Sequence, residues 1–268
     1  MIIFVALLGL AIGSFLNVVI HRIPAGASLS LPPSSCGSCS TRIRARDNIP
    51  VLSWLILRGK CRDCAAPISI RYLLVEVGTT VFFVAVALRF GVQGLRVETS
   101  ASVIVMVVAF LYFASISVAL AVIDLETHTL PDRIVLSAYP VAAILVGAAA
   151  VVSGEPQCLF WALLGGLMLF LLYFLMAALY PKGMGLGDVK LAGVIGIFLG
   201  LLGPGPFIVG AFGAFVLGGA FSLVLLATRR AGRGSGIPFG PWMLAGAWLG
   251  VFAGEPIATG YLTLVGLN

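Results

Sequence analysis

Charge is what this sequence has least of. Only 10% of its 268 residues are Asp, Glu, Lys or Arg, while 60% are hydrophobic; a soluble domain carries about 25% charged residues. That composition cannot clothe a surface in water, and a mean hydropathy of +1.14 points to a polytopic membrane protein. Histidine is nearly missing. His21 and His128 are the only two and lie in different segments, which leaves little for a Ser–His–Asp triad. No H-E-x-x-H is present, which argues against a catalytic zinc protease. "GMGLGDVK" at 183–190 matches neither the phosphate loop G-x-x-x-x-G-K-[ST] nor G-x-G-x-x-G. The net charge is +6, but no aromatic-basic stacking platform accompanies it, so nucleic acid is not an expected partner. The opening "MIIFVALLGLAIGSFLNVVI" lacks a basic flank and a small-residue cleavage site, and reads as a retained span.

What is abundant is apolar sequence. Counted at roughly 20 residues per crossing, about eight transmembrane helices are expected: 2–20, 72–90, 101–123, 134–153, 158–180, 189–203, 206–227 and 238–254. The apolar tail 257–267 either extends the last span or lies at the interface. With the N-terminus outside, the inner side holds fourteen of the sixteen Lys and Arg, and only Arg89 and Arg96 fall outside. The positive-inside rule therefore selects this orientation. The basic "RRAGRGSG" at 229–236 becomes an inner-face loop. The chain divides into a first helix (1–20), a cytoplasmic insertion (21–71) and a membrane-embedded remainder (72–268).

The insertion holds four of the five cysteines, in "CGSC" (36–39) and "CRDC" (61–64). Two C-x₂-C pairs at this separation resemble structural zinc spacing. Thiols stay reduced in the cytosol, and Cys36, Cys39, Cys61 and Cys64 can close a tetrahedral Zn²⁺ site. A segment of this length with few large apolar groups needs such a staple to fold. The alternatives are free thiols or disulfides. Cys158 has no partner motif and is expected to serve packing.

Acids near a membrane are functional candidates, because burying one is costly. Glu155 and Glu255 sit beside Pro156 and Pro256 and read as solvated outer turns. Asp132, after Pro131, reads as the N-cap of the fourth span. Glu126 and His128 fall in a short inner connection, where His128 can meet Asp124 only if the helix continues. Asp124 ends the third span and Asp188 opens the sixth. Two crossings separate them, so both lie near the inner boundary and can face each other. Two carboxylates a few ångströms apart do not both ionise easily and share one proton. The ionised partner can take a proton from water while the other polarises an amide carbonyl, which is general acid–base hydrolysis. Gly185 and Gly187, lacking Cβ atoms, would let an extended substrate backbone approach Asp188. The bland alternative for Asp188 is the N-cap of span six, with Lys190 solvated nearby.

The sequence resembles the bacterial prepilin peptidases, the type IV prepilin leader peptidase/N-methyltransferase family of Gly-x-Gly-Asp membrane proteases. The resemblance spans nearly the full length. It rests on "GSFLNVVIHRIP" (13–24), the paired "CGSC" and "CRDC", "DNIPVLSWLILRGKC" (47–61), "SIRYLLVE" (69–76), "IDLETHTLPD" (123–132), "GMGLGDVK" (183–190) and "IPFGP" (237–241). It implies an inner-membrane aspartic endopeptidase, with Asp124 and Asp188 as its catalytic pair. Such an enzyme removes the leader from type IV prepilins and type II secretion pseudopilins on the cytoplasmic side, after a glycine. Members with the cysteine module commonly N-methylate the new N-terminus from S-adenosylmethionine. Glu76 is a second-tier candidate for a role there, its alternative being a buried acid satisfied by a neighbouring helix. "CGSC" departs from the family in lacking a proline after the first cysteine, but its ligands remain. The insertion 21–71 carries eight basic and two acidic residues, which suits anionic membrane lipids rather than a basic leader. Two rival readings are another Gly-x-Gly-Asp protease that cuts inside transmembrane helices, and a transporter or assembly scaffold using the two aspartates as an ion site.

Overall fold

In lipid no water satisfies the backbone, so apolar runs close their hydrogen bonds internally as helices. A computed structural model describes residues 2–93, 96–97, 100–181, 183–228 and 238–266. Its helices are α1 (Ile2–Arg22), α2 (Leu52–Ile56), α3 (Ile70–Gly91), α4 (Ala101–Thr127), α5 (Asp132–Ser153), α6 (Gln157–Leu179), α7 (Leu186–Leu201), α8 (Pro204–Ala227) and α9 (Gly240–Val265). A 3₁₀ turn spans Ala45–Asp47, and two two-residue strands, Val92–Gln93 and Arg96–Val97, pair antiparallel. Among the described residues the fold is all-α apart from that pairing and two isolated bridges, Ser35 with Arg42 and Lys60 with Pro67. Among the described residues six helices are long and apolar enough to cross a membrane: α1, α3, α4, α5, α6 and α8. The basic loop 229–236, Ile237 of "IPFGP" and Lys182 lie outside the described residues.

The chain forms two compact units, Met1–Thr99 with Leu111–Ala119, and Ser100–Phe110 with Leu120–Asn268. In the first, α1 packs along α3 at close range. A methyl group added at Gly9 would lie 2.8 Å from the Thr80 Cα, and one at Gly13 would lie 2.7 Å from the Glu76 Cα. In the second, α6 packs on α7 and α8 on α9 through glycines that let backbones touch. Gly165 meets Gly196 and Gly200. Gly250 meets Pro206 and Gly210. Phe110 sets its ring edge against Phe198 (5.8 Å between centroids) and Trp248 (6.3 Å).

Helix ends depart from the apolar runs in an instructive way. Counting apolar residues stops at the first charge, whereas a helix stops at a cap. α4 thus passes Asp124 to Thr127, and α7 starts at Leu186, before Asp188. At 16 residues α7 is about 24 Å long, short of the ~30 Å apolar core. Most of it is buried, against α5, α6, α8 and α9, so neighbours rather than lipid enclose it. The outer turn expected at Glu255–Pro256 is absent. α9 runs through both to Val265, since a proline costs one backbone bond without ending a helix that neighbours support. Glu155 does sit in an exposed connection.

Candidate functional site

Asp124 lies one turn before the end of α4 and is buried, with 5% of its surface exposed. His128 closes that helix in the left-handed conformation (φ 52°), its N–H donating to the Asp124 carbonyl at 2.9 Å. Glu126 is therefore helical rather than part of a connection. The hydrogen bond between His128 and Asp124 is this backbone one, and the ring is left exposed. The carboxylate of Asp124 meets a different element. The Gly240 N–H, at the first residue of α9, donates to its Oδ2 at 3.1 Å. The positive end of α9 thus falls on an acid. A methyl group at position 240 would lie 2.6 Å from that oxygen, so glycine is what permits the approach.

Asp188 is the third residue of α7 and half-buried. It is not the N-cap; Gly185 is. The Gly185 N–H donates back to Asp188 Oδ2 at 3.2 Å, the reverse arm of a capping box. Each carboxylate thus has one oxygen held by a backbone N–H, and among the described residues no hydrogen bond reaches either Oδ1.

The two acids belong to one neighbourhood within the second unit. Leu130, in the link between α4 and α5, touches both sides. A methyl group at Gly240 would lie 3.3 Å from its Cδ2, and one at Gly187 would lie 3.0 Å from its Cβ. The two glycines before Asp188 therefore differ. Gly187 faces Leu130, whereas a methyl at Gly185 would meet nothing nearer than Asp188 Oδ2 at 3.5 Å. Beside them stands an aromatic trio. Phe239, preceding Gly240, lies 5.7 Å from Phe215 and 6.3 Å from Tyr173, and the last two are 5.6 Å apart. Tyr173 is buried. Gly240, Leu130 and Tyr173 were not singled out as site residues from sequence. Leu130 falls in "IDLETHTLPD" and Gly240 in "IPFGP", the latter a glycine opening a helix where no side chain can stand.

Asp132 is not an N-cap either. Pro131 takes that position, and Asp132 occupies the first turn of α5. Its oxygens receive Lys190 Nζ at 2.8 and 2.9 Å, so Lys190 is paired with it, while the Tyr139 hydroxyl donates to the Lys190 carbonyl at 2.7 Å. The ion pair is partly exposed, at 32% and 58%. Asp132→Asn is accordingly expected to change unfolding free energy by less than about 1 kcal/mol, as read from thermal melts in detergent.

In the first unit the four cysteines converge. Their sulfurs all lie within 4.8 Å of one another and can hold a metal ion. Each C-x₂-C pair forms the same knuckle. Cys36 N–H donates to Thr41 O and Ser40 N–H to Cys36 O; Cys61 N–H donates to Ala66 O and Ala65 N–H to Cys61 O. The residue after each pair, Ser40 or Ala65, is left-handed (φ 59° and 56°). Backbone N–H groups of Cys39 and Ser38 hold the Cys36 thiol down at about 6. Cys64 is pushed up to about 12: the Ala66 N–H favours its thiolate, but Cys39, burial, Cys61 and Cys36 together outweigh it. Cys158 lies in the first turn of α6, its thiol donating to Glu155 O. Glu76 is 8% exposed and accepts the Val51 N–H at 2.6 Å through Oε2.

A prepilin leader peptidase/N-methyltransferase of Pseudomonas putida is 35% identical over 283 residues, covering 97% of this chain and 93% of that protein. The family model described as the bacterial peptidase A24 N-terminal domain matches residues 7–90, and that of the type IV leader peptidase family matches residues 111–223. The chain belongs to the type IV leader peptidase family. Proteins of the same name from Stutzerimonas stutzeri (35% over 280 residues, 95% of this chain and 91% of that one) and Aeromonas hydrophila (35% over 286 residues, 97% and 93%) are similar to it as well. No solved structure matches the chain. The first matched segment carries Glu76 and the four cysteines, the second Asp124 and Asp188; Gly240 lies beyond both.

Proposed function

We propose that this family member is a multi-pass inner-membrane aspartic endopeptidase that removes the leader from type IV prepilins and pseudopilins, then methylates the new N-terminus. The observation that carries the peptidase reading is the pair Asp124 and Asp188. Both acids sit in one neighbourhood, each with one oxygen tied to a glycine N–H and the other reached by no hydrogen bond among the described residues. With one proton between them, the ionised carboxylate takes a proton from water as the water oxygen attacks the scissile carbonyl. The protonated carboxylate donates to the carbonyl oxygen as the tetrahedral centre forms. Collapse of that centre breaks the C–N bond, and a proton passes to the departing amine. The products are a leader ending in a carboxylate and a pilin beginning with a free amine. The open face of Gly185 gives an extended substrate room beside Asp188. The positive-inside charge bias supports a cytoplasmic position for this site and the cysteine module, with the N-terminus outside.

For the cysteine cluster the metal we propose is structural Zn²⁺. Zn–S bonds of about 2.3 Å give a tetrahedron with edges of roughly 3.8 Å, and the Cys36 and Cys64 sulfurs are 3.8 Å apart. Cys36, Cys39, Cys61 and Cys64 would be its ligands. The segment has little else to hold it. Around the knuckles only Ser53 and Gly59 are buried, alongside two ion pairs, Arg62–Asp47 at 2.6 Å and Arg44–Asp63 at 2.9 Å. Cys61→Ser is expected to drop bound zinc from one per chain to near none, and to impair methylation more than cleavage. Metal analysis of the purified variant checks this, and unchanged stoichiometry contradicts it. Methylation follows from the relatives being N-methyltransferases by name, and S-adenosylmethionine, when bound, would supply the electrophilic methyl group.

The test of the whole reading is to incubate the purified protein with a prepilin and donor and to weigh the products. Loss of the leader and gain of one methylene are separate signals. An intact prepilin contradicts the peptidase, and a cleaved but unmodified pilin contradicts the transferase.

A further inference from the structure

The first unit contains a cavity of about 560 Å³, bounded by α1, the start of α3 and the cysteine-bearing segment. That is within the ~300–1,000 Å³ of small-molecule sites. The chemistry of its lining is unbalanced. Asn17 is 4% exposed, and its Nδ2 donates to Tyr72 O at 3.1 Å, which fixes the orientation of the amide. Its Oδ1 is then a buried acceptor without a donor. Leaving such a group unpaired is unfavourable. Glu76 lines the same cavity. Its one hydrogen bond comes from a backbone N–H, and no cation pairs with it among the described residues. The other two acids of the lining are already matched, Asp47 by Arg62 and Asp63 by Arg44. A carboxylate in the lining with no cation beside it calls for a ligand that brings donors and positive charge. Exposed Arg42 and the rings of Trp54 and Tyr72 also line the space. They suit a carboxylate and a flat base or cation.

We propose that this cavity binds the methyl donor S-adenosylmethionine, with the Glu76 carboxylate receiving its cationic methionyl end. The proposal rests on the methylating half of the function above. It makes Glu76 a ligand-binding residue as well as the anchor of Val51, whose left-handed backbone (φ 62°) it holds.

Equilibrium dialysis of labelled S-adenosylmethionine against the full-length, zinc-loaded protein in detergent tests the assignment. Glu76→Gln keeps an acceptor for the Val51 N–H and removes only the charge. It is expected to weaken donor binding by about tenfold, with leader cleavage and zinc content unchanged. Val18→Phe, which fills part of the cavity and alters no polar group, is expected to weaken it comparably. S-adenosylhomocysteine, which lacks the sulfonium charge, tells which cation Glu76 faces. If it faces the sulfonium, Glu76→Gln abolishes the preference for the charged ligand; if the ammonium, both ligands weaken alike. Unchanged donor affinity in both variants overturns the placement, even where wild-type protein methylates normally. So does a loss of affinity confined to a peptide with the mature pilin N-terminus. A wild-type protein that neither binds donor nor adds a methyl group overturns the transferase reading itself, and this proposal with it.

Discussion

Asp124→Asn and Asp188→Asn are each expected to lower leader release by about 10³-fold, within the range that general acid–base groups supply and equivalent to about 4 kcal/mol of barrier. The loss should be chemical rather than structural. An asparagine keeps a carbonyl oxygen to accept the Gly240 or Gly185 N–H, so both helix starts keep their partners. What disappears is the exchangeable proton site. Each variant should therefore melt near the wild-type temperature and retain its zinc while prepilin accumulates uncut. A processing rate close to wild type in either variant would remove that aspartate from the chemistry.

Gly240→Val should be nearly as damaging, although position 240 bears no reactive group. Its new Cβ would fall 2.6 Å from Asp124 Oδ2 and 3.3 Å from Leu130 Cδ2. Asp124 is short, buried and anchored by its own backbone at the end of α4, so it cannot step aside without losing both the Gly240 bond and its alignment with Asp188. Misplacing a catalytic group by about 1 Å can cost about 10²-fold, and a loss of that order in cleavage is the expected result. Gly78→Val makes the comparison, because a methyl group there meets nothing within 4 Å and cleavage should be unaffected. Equal rates in Gly240→Val and wild type would show that the α9 start does not position Asp124.

Rarity made Asp124 and Asp188 legible. In a chain with ten acids, a carboxylate at a span edge stands out, and counting crossings brings both to one boundary. The cysteine cluster was legible for a similar reason, since spacing alone encodes a knuckle. The groups that seat the aspartates are of another kind. Leu130, Tyr173 and Gly240 look like any other residue of an apolar chain, and only the packing of α4, α6, α7 and α9 gives them a place. The Asp132 error has the same origin. Pro131–Asp132 is a good helix start by local rules, but Lys190, 58 residues on, claims the carboxylate. Glu255–Pro256 misled through local propensity too, because a proline that would end a helix in water is carried inside α9.

The most direct test of a shared site is to combine the two substitutions. Groups that act as a unit fail together, so removing the second costs little once the first is gone. Leader release by Asp124→Asn/Asp188→Asn, measured beside both single variants, should sit within a few-fold of either one. Losses that multiply, leaving the double variant slower by the product of the two single effects, would contradict a pair working on one water and one amide.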